Sequence, residues 1–206
     1  MNAILINGSP RKDGCTFTAL TEIAVTLEKH GIKTEVFHVP SQNMHGCNSC
    51  YLCKQTRECV HDDAVNKFAS LIEKTDAFVF GSPVYYSGAS GSLCSFMDRL
   101  FFAHGAKFRG KLGAAIVSAR RAGTSAALDR ITKYFSISQM PIVSSQYWNM
   151  VHGSCPEQVR QDQEGMQTMR VLGDNMAWLL KCIAAGKKAG IDLPEKEERI
   201  WTNFIR

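Results

Sequence analysis

Apolar and polar positions divide the chain into repeats of one unit, an apolar run followed by an amphipathic stretch. Ile4-Leu5-Ile6 runs unbroken to Asn7, as in a strand covered on both faces. From Phe17 to His30 the residues Leu20, Ile23, Ala24 and Leu27 recur at helical spacing, and Gly31 closes the helix. Lys33 to Val39 alternates, which predicts a strand near a sheet edge. Met44 to His61 has no period and reads as a loop. Ala64 to Lys74 predicts a helix, with Val65, Phe68, Leu71 and Ile72 on one face and Asp62-Asp63 at its positive end. Ala77 to Phe80 predicts a central strand, Gly81 to Gly91 a loop, and Ser92 to His104 a helix that buries Leu93, Phe96, Met97, Leu100 and Phe101. Gly113 to Ser118 and Pro141 to Tyr147 read as the fourth and fifth strands, with a loop over Ala119 to Thr124 and a helix over Ser125 to Phe135 between them. Glu157 to Gly186 reads as one long amphipathic helix. Strands and helices alternating five times predict an α/β fold, a parallel sheet with helices on both faces. In such a sheet ligands bind at the carboxyl ends of the strands, where strand order reverses.

Composition narrows the picture. With 206 residues, 45% of them hydrophobic, the chain can fill one core. We expect a domain over residues 1–190 and a tail over 191–206. The tail carries Ile200, Trp201, Phe204 and Ile205, which need burial against the body or a second copy. The net charge of +5 is dispersed, with no basic run beyond Lys187-Lys188, so no nucleic-acid partner is expected. No stretch of eighteen apolar residues suggests a membrane span, and no leader pattern opens the chain, so a cytoplasmic protein is expected. Its eight cysteines then read as thiols, ligands or redox centres. Cys15, Cys94, Cys155 and Cys182 are scattered and read mostly as small buried hydrophobes.

The loop after the first strand, Gly8-Ser9-Pro10-Arg11-Lys12-Asp13-Gly14-Cys15-Thr16, reads as a phosphate cradle at a helix start. Five residues separate its glycines, and Cys15-Thr16 stands where a Walker A loop has Lys-Ser/Thr. A G-x-G-x-x-G run is also absent, as is a cysteine five residues ahead of an arginine. One terminal phosphate, met by backbone amides and the Ser9 and Thr16 hydroxyls, fits best; an ordinary capped turn is the other reading. The second chemical signal is Cys47-x-x-Cys50-x-x-Cys53 followed by Cys59. Short intervals let successive thiolates converge on different irons of one 4Fe-4S cluster. Zinc more often takes two separated C-x-x-C knuckles. A disulfide, or four thiols without metal, completes the alternatives. Asp98-Arg99 reads as a helix-surface ion pair, and His38, His45, His61 and His104 as surface or loop residues. Trp148, Asn149 and His152 follow the fifth strand and read as loop packing.

These loops, together with Gly81-Ser82-Pro83-Val84-Tyr85-Tyr86 and Asp98-Arg99-Leu100, resemble the flavodoxin-like NAD(P)H-dependent FMN reductases, and within them the iron-sulfur flavoproteins. The resemblance spans about three quarters of the chain. It implies a doubly wound five-stranded sheet of order 2-1-3-4-5, with FMN as cofactor and NAD(P)H as co-substrate. Ser9, Arg11, Gly14 and Thr16 match the phosphate-loop positions, and Cys15 stands where an asparagine is common. Pro83, Val84, Tyr85 and Tyr86 match the ring-contacting loop. Ser118, Arg120 and Gly123 lie in the third loop, where Arg120 would offset negative charge on the reduced ring. Cys47, Cys50, Cys53 and Cys59 match the cluster ligands. The resemblance also implies a homodimer or homotetramer. An oxidoreductase passing electrons to a small-molecule or protein acceptor is the leading expectation. An electron carrier without enzymatic activity and a zinc-stabilised binding module are its rivals.

Overall fold

The computed structural model describes residues 1–205. Its strands are β1 (Asn2–Asn7), β2 (Lys33–His38), β3 (Ala77–Tyr85), β4 (Gly88–Ala89), β5 (Leu112–Ala119) and β6 (Met150–His152). Its helices are α1 (Cys15–Lys29), α2 (Leu52–Thr56), α3 (Ala64–Ala69), α4 (Gly91–His104), α5 (Thr124–Ile137), α6 (Pro156–Gln161) and α7 (Gln163–Lys188). The sheet order is β2-β1-β3-β5-β6, all parallel, and the two-residue β4 pairs antiparallel with the end of β3. With β4 set aside this is the expected doubly wound order, and the alternating β2 lies at the edge as its pattern predicts.

Because side chains alternate across a strand, the apolar runs supply two cores. Ile4 and Ile6 of β1 with Phe78 and Phe80 of β3 face a layer of Phe68, Phe96, Leu100 and Phe135. Ala3 and Leu5 with Ala77 and Val79 face Ile23 and Leu27 of α1 and Met169, Leu172 and Met176 of α7. Burial on both faces explains why these strands read as continuous apolar runs.

Five local expectations are corrected. Gly81 to Tyr85 is strand, not loop. β1 stops at Asn7 opposite Gly81, so Pro83 pairs only toward β5, where a missing donor is tolerated. The helix from Ala64 ends at Ala69, and a single 3₁₀ turn at Ile72–Lys74 follows. Pro141 to Tyr147 is not a strand. Val143 N–H bonds Gly113 O (2.8 Å), but the chain then leaves the sheet as Ser145 Oγ donates to Thr168 O (2.6 Å) and Ser144 O accepts from Asn175 (2.9 Å). It returns at Asn149, whose side chain donates to Ala115 O (3.0 Å), and β6 follows. The long C-terminal helix is broken at Asp162, whose carboxylate caps α7 through Gly165 N–H (3.0 Å) and accepts from His152 N–H (2.6 Å). Lastly, none of the four scattered cysteines is fully buried: Cys15, Cys94 and Cys155 are half-buried and Cys182 is exposed.

Candidate functional site

Three loops at the carboxyl ends of β1, β3 and β5 meet over the sheet. Gly8 N–H donates to Gly81 O (2.8 Å), Ser90 Oγ to Gly8 O (2.6 Å), and Ser90 N–H to Ser82 Oγ (2.8 Å). A Cβ at Gly8 would lie 2.7 Å from Leu93 Cβ and 2.9 Å from Gly81 O; the residue is glycine because β3 and the start of α4 press against it. The third loop joins at Gly123, held at φ +89°, where a Cβ would meet Ser87 Oγ at 2.8 Å and Val84 Cγ1 at 3.1 Å.

Within the first loop, Asn7 Oδ1 accepts from Ser9 N–H (3.0 Å), its amide donates to Lys12 O (2.9 Å), and Ser9 Oγ accepts from Arg11 N–H (3.1 Å). His38, expected only as a surface or loop residue, braces the loop by a hydrogen bond from Nε2 to Ser9 O (2.8 Å). Gly14 precedes α1 without a side-chain cap, and Thr18 is the first residue to donate inside the helix, to Gly14 O (3.0 Å). The amides of Cys15, Thr16 and Phe17 therefore have no intrahelical acceptor, and they form the positive end of a fifteen-residue helix. Thr16 is buried, and its hydroxyl shares a 2.8 Å hydrogen bond with Ser118 Oγ in which either oxygen can donate. Cys15 Sγ donates to Gly153 O (3.6 Å), and burial raises its pKa. Backbone hydrogen bonding offsets part of that rise, so the thiol is protonated at neutral pH.

The structure thus brings Ser9, Arg11, Gly14, Cys15 and Thr16 together with Pro83, Val84, Ser118 and Gly123. Tyr85, Tyr86, Arg11 and Arg120, on the same three loops or at their edges, are exposed. Tyr86 and Ser87 sit at φ +50° and +62° in the turn between β3 and β4, a left-handed pair that favours Asn-Gly. Here that strained turn projects Tyr86 fully into solvent.

Cys47, Cys50, Cys53 and Cys59 all line one small, partly open pocket with Tyr51, His61, Arg99, Phe102 and Ala103. Ser49 (φ +54°), Tyr51 (+61°) and Arg57 (+64°) are left-handed non-glycine residues, so the loop stores strain around its cysteines, of which Cys53 is buried, Cys59 half-buried, and Cys47 and Cys50 exposed. Burial pushes the Cys53 thiol up; Lys54 offsets part of this, and Cys59, Cys50 and Cys47 push it further. Among the described residues no three His, Cys, Asp or Glu stand close enough to hold a single metal ion. All four thiols are free, and cysteine thiolates in sets of four are the ligands of iron–sulfur clusters.

The sequence reading missed Arg99. Asp98 and Arg99 do not form a pair: one helix position apart, they point in different directions. Asp98 accepts from Arg130 (3.3 Å) and from the Tyr134 hydroxyl at the surface. The Arg99 side chain is 1% exposed and meets Asp63 at 2.6 and 3.0 Å. A signal existed, since Arg99 lies three residues after Phe96, on the buried stripe of α4. His104 is also buried rather than on the surface, and its Nε2 has no hydrogen-bond partner among the described residues.

A family model described as NADPH-dependent FMN reductase matches residues 1–154. An iron-sulfur flavoprotein of Methanocaldococcus jannaschii is 30% identical over 191 residues, covering 89% of this chain and 99% of that protein. An iron-sulfur flavoprotein of Archaeoglobus fulgidus is 35% identical over 118 residues, 57% of this chain and 54% of that one. Among solved structures, a flavodoxin from the domain Archaea superposes with a TM-score of 0.60 at 18% identity, covering 88% of this chain and 99% of its own.

Proposed function

The chain belongs to the NADPH-dependent FMN reductase family, and from that premise we propose that it takes electrons from NADH or NADPH onto FMN and delivers them to a small-molecule or protein acceptor. In this reading Cys47, Cys50, Cys53 and Cys59 hold a 4Fe-4S cluster as a second redox centre. FMN-dependent redox chemistry comes with the family; the nicotinamide, the acceptor and the cluster are the proposal.

The observation that carries the FMN assignment is the meeting of three loops at the carboxyl ends of β1, β3 and β5, fastened through Gly8, Gly81 and Ser90. The unpaired amides at the start of α1 suit a terminal phosphate. Arg11 at the rim adds a positive charge, and the Ser9 hydroxyl lies in the same loop. Thr16 contributes through its amide and, with Ser118 donating to it, through its hydroxyl. Backbone from Pro83 to Tyr86 and around Gly123 would position the flat ring, with Arg120 opposing negative charge and the tyrosines offering flat faces beside it. When bound, FMN supplies hydride acceptance and electron release, so the chain needs no acid/base pair of its own. A cluster would add one-electron capacity. The exposed apolar tail residues fit a second copy, and we propose a homo-oligomer.

Purified protein titrated with FMN, then mixed in stopped flow with NADPH and separately with NADH, tests the reading. Tight FMN uptake and bleaching by at least one nicotinamide is the expected result. No FMN uptake would overturn the site. Uptake without bleaching by either nicotinamide, but with bleaching by reduced ferredoxin, would make the protein a carrier rather than an enzyme.

A further inference from the structure

We infer that Arg99 is a positioning residue of the four-cysteine pocket: its guanidinium holds the Cys59 sulfur with two N–H donors and raises the reduction potential of a cluster ligated there. The inference rests on the cluster reading above.

Arg99 Nε and Nη2 each lie 3.2 Å from Cys59 Sγ. The guanidinium has further acceptors, and Nη2 divides its two N–H groups among three of them. Nη1 reaches Asp63 Oδ2 (2.6 Å) and His45 O (3.3 Å), and Nη2 reaches Asp63 Oδ1 (3.0 Å) and His61 O (3.1 Å). One side chain on α4 thus gathers the start of the cysteine loop, its last cysteine and the entry to α3. Asn66 fixes the backbone of the same cysteine from the other side, its Oδ1 accepting from Cys59 N–H (2.8 Å) and its Nδ2 donating to Cys59 O (2.9 Å). With the Cys59 backbone fixed by Asn66, the sulfur can leave the guanidinium only by rotating about χ1, which breaks both Arg99 bonds.

Two features separate this from a merely structural arginine. Cys59 Sγ is the acceptor of the buried Nε–H, and Nη2 reaches the same sulfur, so one edge of the fork is aimed at sulfur while the other is held by Asp63. Asp63 also balances the guanidinium charge, so the sulfur meets chiefly aligned N–H dipoles rather than a net cation. Donors aimed at a ligand sulfur stabilise the more negative, reduced state of a cluster, which is one of the means by which proteins set such potentials. Lysine carries the charge but not the fork, so Arg99→Lys separates the two effects.

The test uses full-length protein prepared anaerobically and supplied with iron and sulfide. Wild-type protein should bind about four irons and four sulfides; an iron-free result overturns the cluster reading and this inference together. With iron bound, Arg99→Lys should lower the reduced-to-oxidised ratio at fixed potential about tenfold, a shift of about 59 mV for a one-electron couple. Wild-type protein made with guanidino-¹⁵N arginine should also show ¹⁵N coupling in the electron spin echo spectrum of the reduced cluster. An iron-replete Arg99→Lys protein at the wild-type potential, or no ¹⁵N coupling in the wild type, overturns the role of Arg99 and leaves the cluster standing. If Arg99→Lys fails to fold or to bind iron, the labelled wild type alone decides, coupling supporting the inference and its absence ending it.

Discussion

Replacing Asp63 by Asn should destabilise the protein far more than a surface substitution. The Arg99 side chain is 1% exposed and that of Asp63 21%. Removing one partner of such a pair costs about 3 to 5 kcal/mol, because the charge left behind is neither solvated nor balanced. Asparagine caps helices as well as aspartate does, so the bond from Val65 N–H (3.0 Å) that starts α3 should survive, and one oxygen can still accept from Arg99. The lower end, about 3 kcal/mol, is therefore expected. At about 2 to 4 °C per kcal/mol for a chain of this size, the thermal midpoint should fall by about 6 to 12 °C. The pair also has a pH signature. Burial pushes the Asp63 carboxyl up, but hydrogen bonds from Arg99 and Val65 N–H, with the Arg99 charge, outweigh it and hold the pKa below the ordinary carboxylate value. A depressed folded pKa gives stability that is complete above the unfolded value, about 3.9, and is lost as pH falls through the folded one. Thermal and urea unfolding followed by circular dichroism at pH 7 and across pH 5 to 2 would show both effects. A variant within about 1 kcal/mol of wild type at pH 7, with an unchanged acid limb, would refute the reasoning.

Three further outcomes follow from other contacts. Gly8→Ala should lower stability by about 1 to 3 kcal/mol through overpacking against Leu93 and Gly81 O, and should weaken FMN binding measured by fluorescence titration; unchanged affinity would separate the first loop from the cofactor. Burial and nearby Lys107 lower the His104 pKa, with Glu58 opposing. Wild-type stability should therefore begin to fall as pH drops below about 6.5, and His104→Phe should flatten that limb in urea melts. Removing residues 195 onward should leave the chain's own stability unchanged and reduce its size in light scattering, since Trp201, Phe204 and Ile205 are 78%, 94% and 86% exposed on a single chain.

Legibility of the fold followed burial. β1, β3 and β5 stand out because both faces are covered, and the parallel order follows from their alternation with helices. The fifth strand was misplaced because its position is set by side chains elsewhere: Asn175 and the backbone of Thr168, both on α7, draw Ser144 and Ser145 out of the sheet, and no local pattern records this. The break at Asp162 is likewise fixed by a distant backbone donor, His152. The loop residues of the candidate site were legible because glycine, serine and proline punctuate the chain where backbones approach. Thr16 was legible as a member of that loop, but the direction of its hydroxyl depends on Ser118, 102 residues away. Arg99 was read from its neighbour Asp98, whereas its partners come from the cysteine loop and the entry to α3.

The bond between Arg99 and Cys59 spans 40 residues of sequence. A ribosome adding about 5 to 20 residues per second exposes the four thiols about 2 to 8 s before it exposes the side chain that fixes one of them. During that interval the loop has its donors but not its clasp. On the cluster reading proposed above, cofactor loading and damage by oxidants share the same opening during synthesis, and it closes when α4 reaches its place against the sheet.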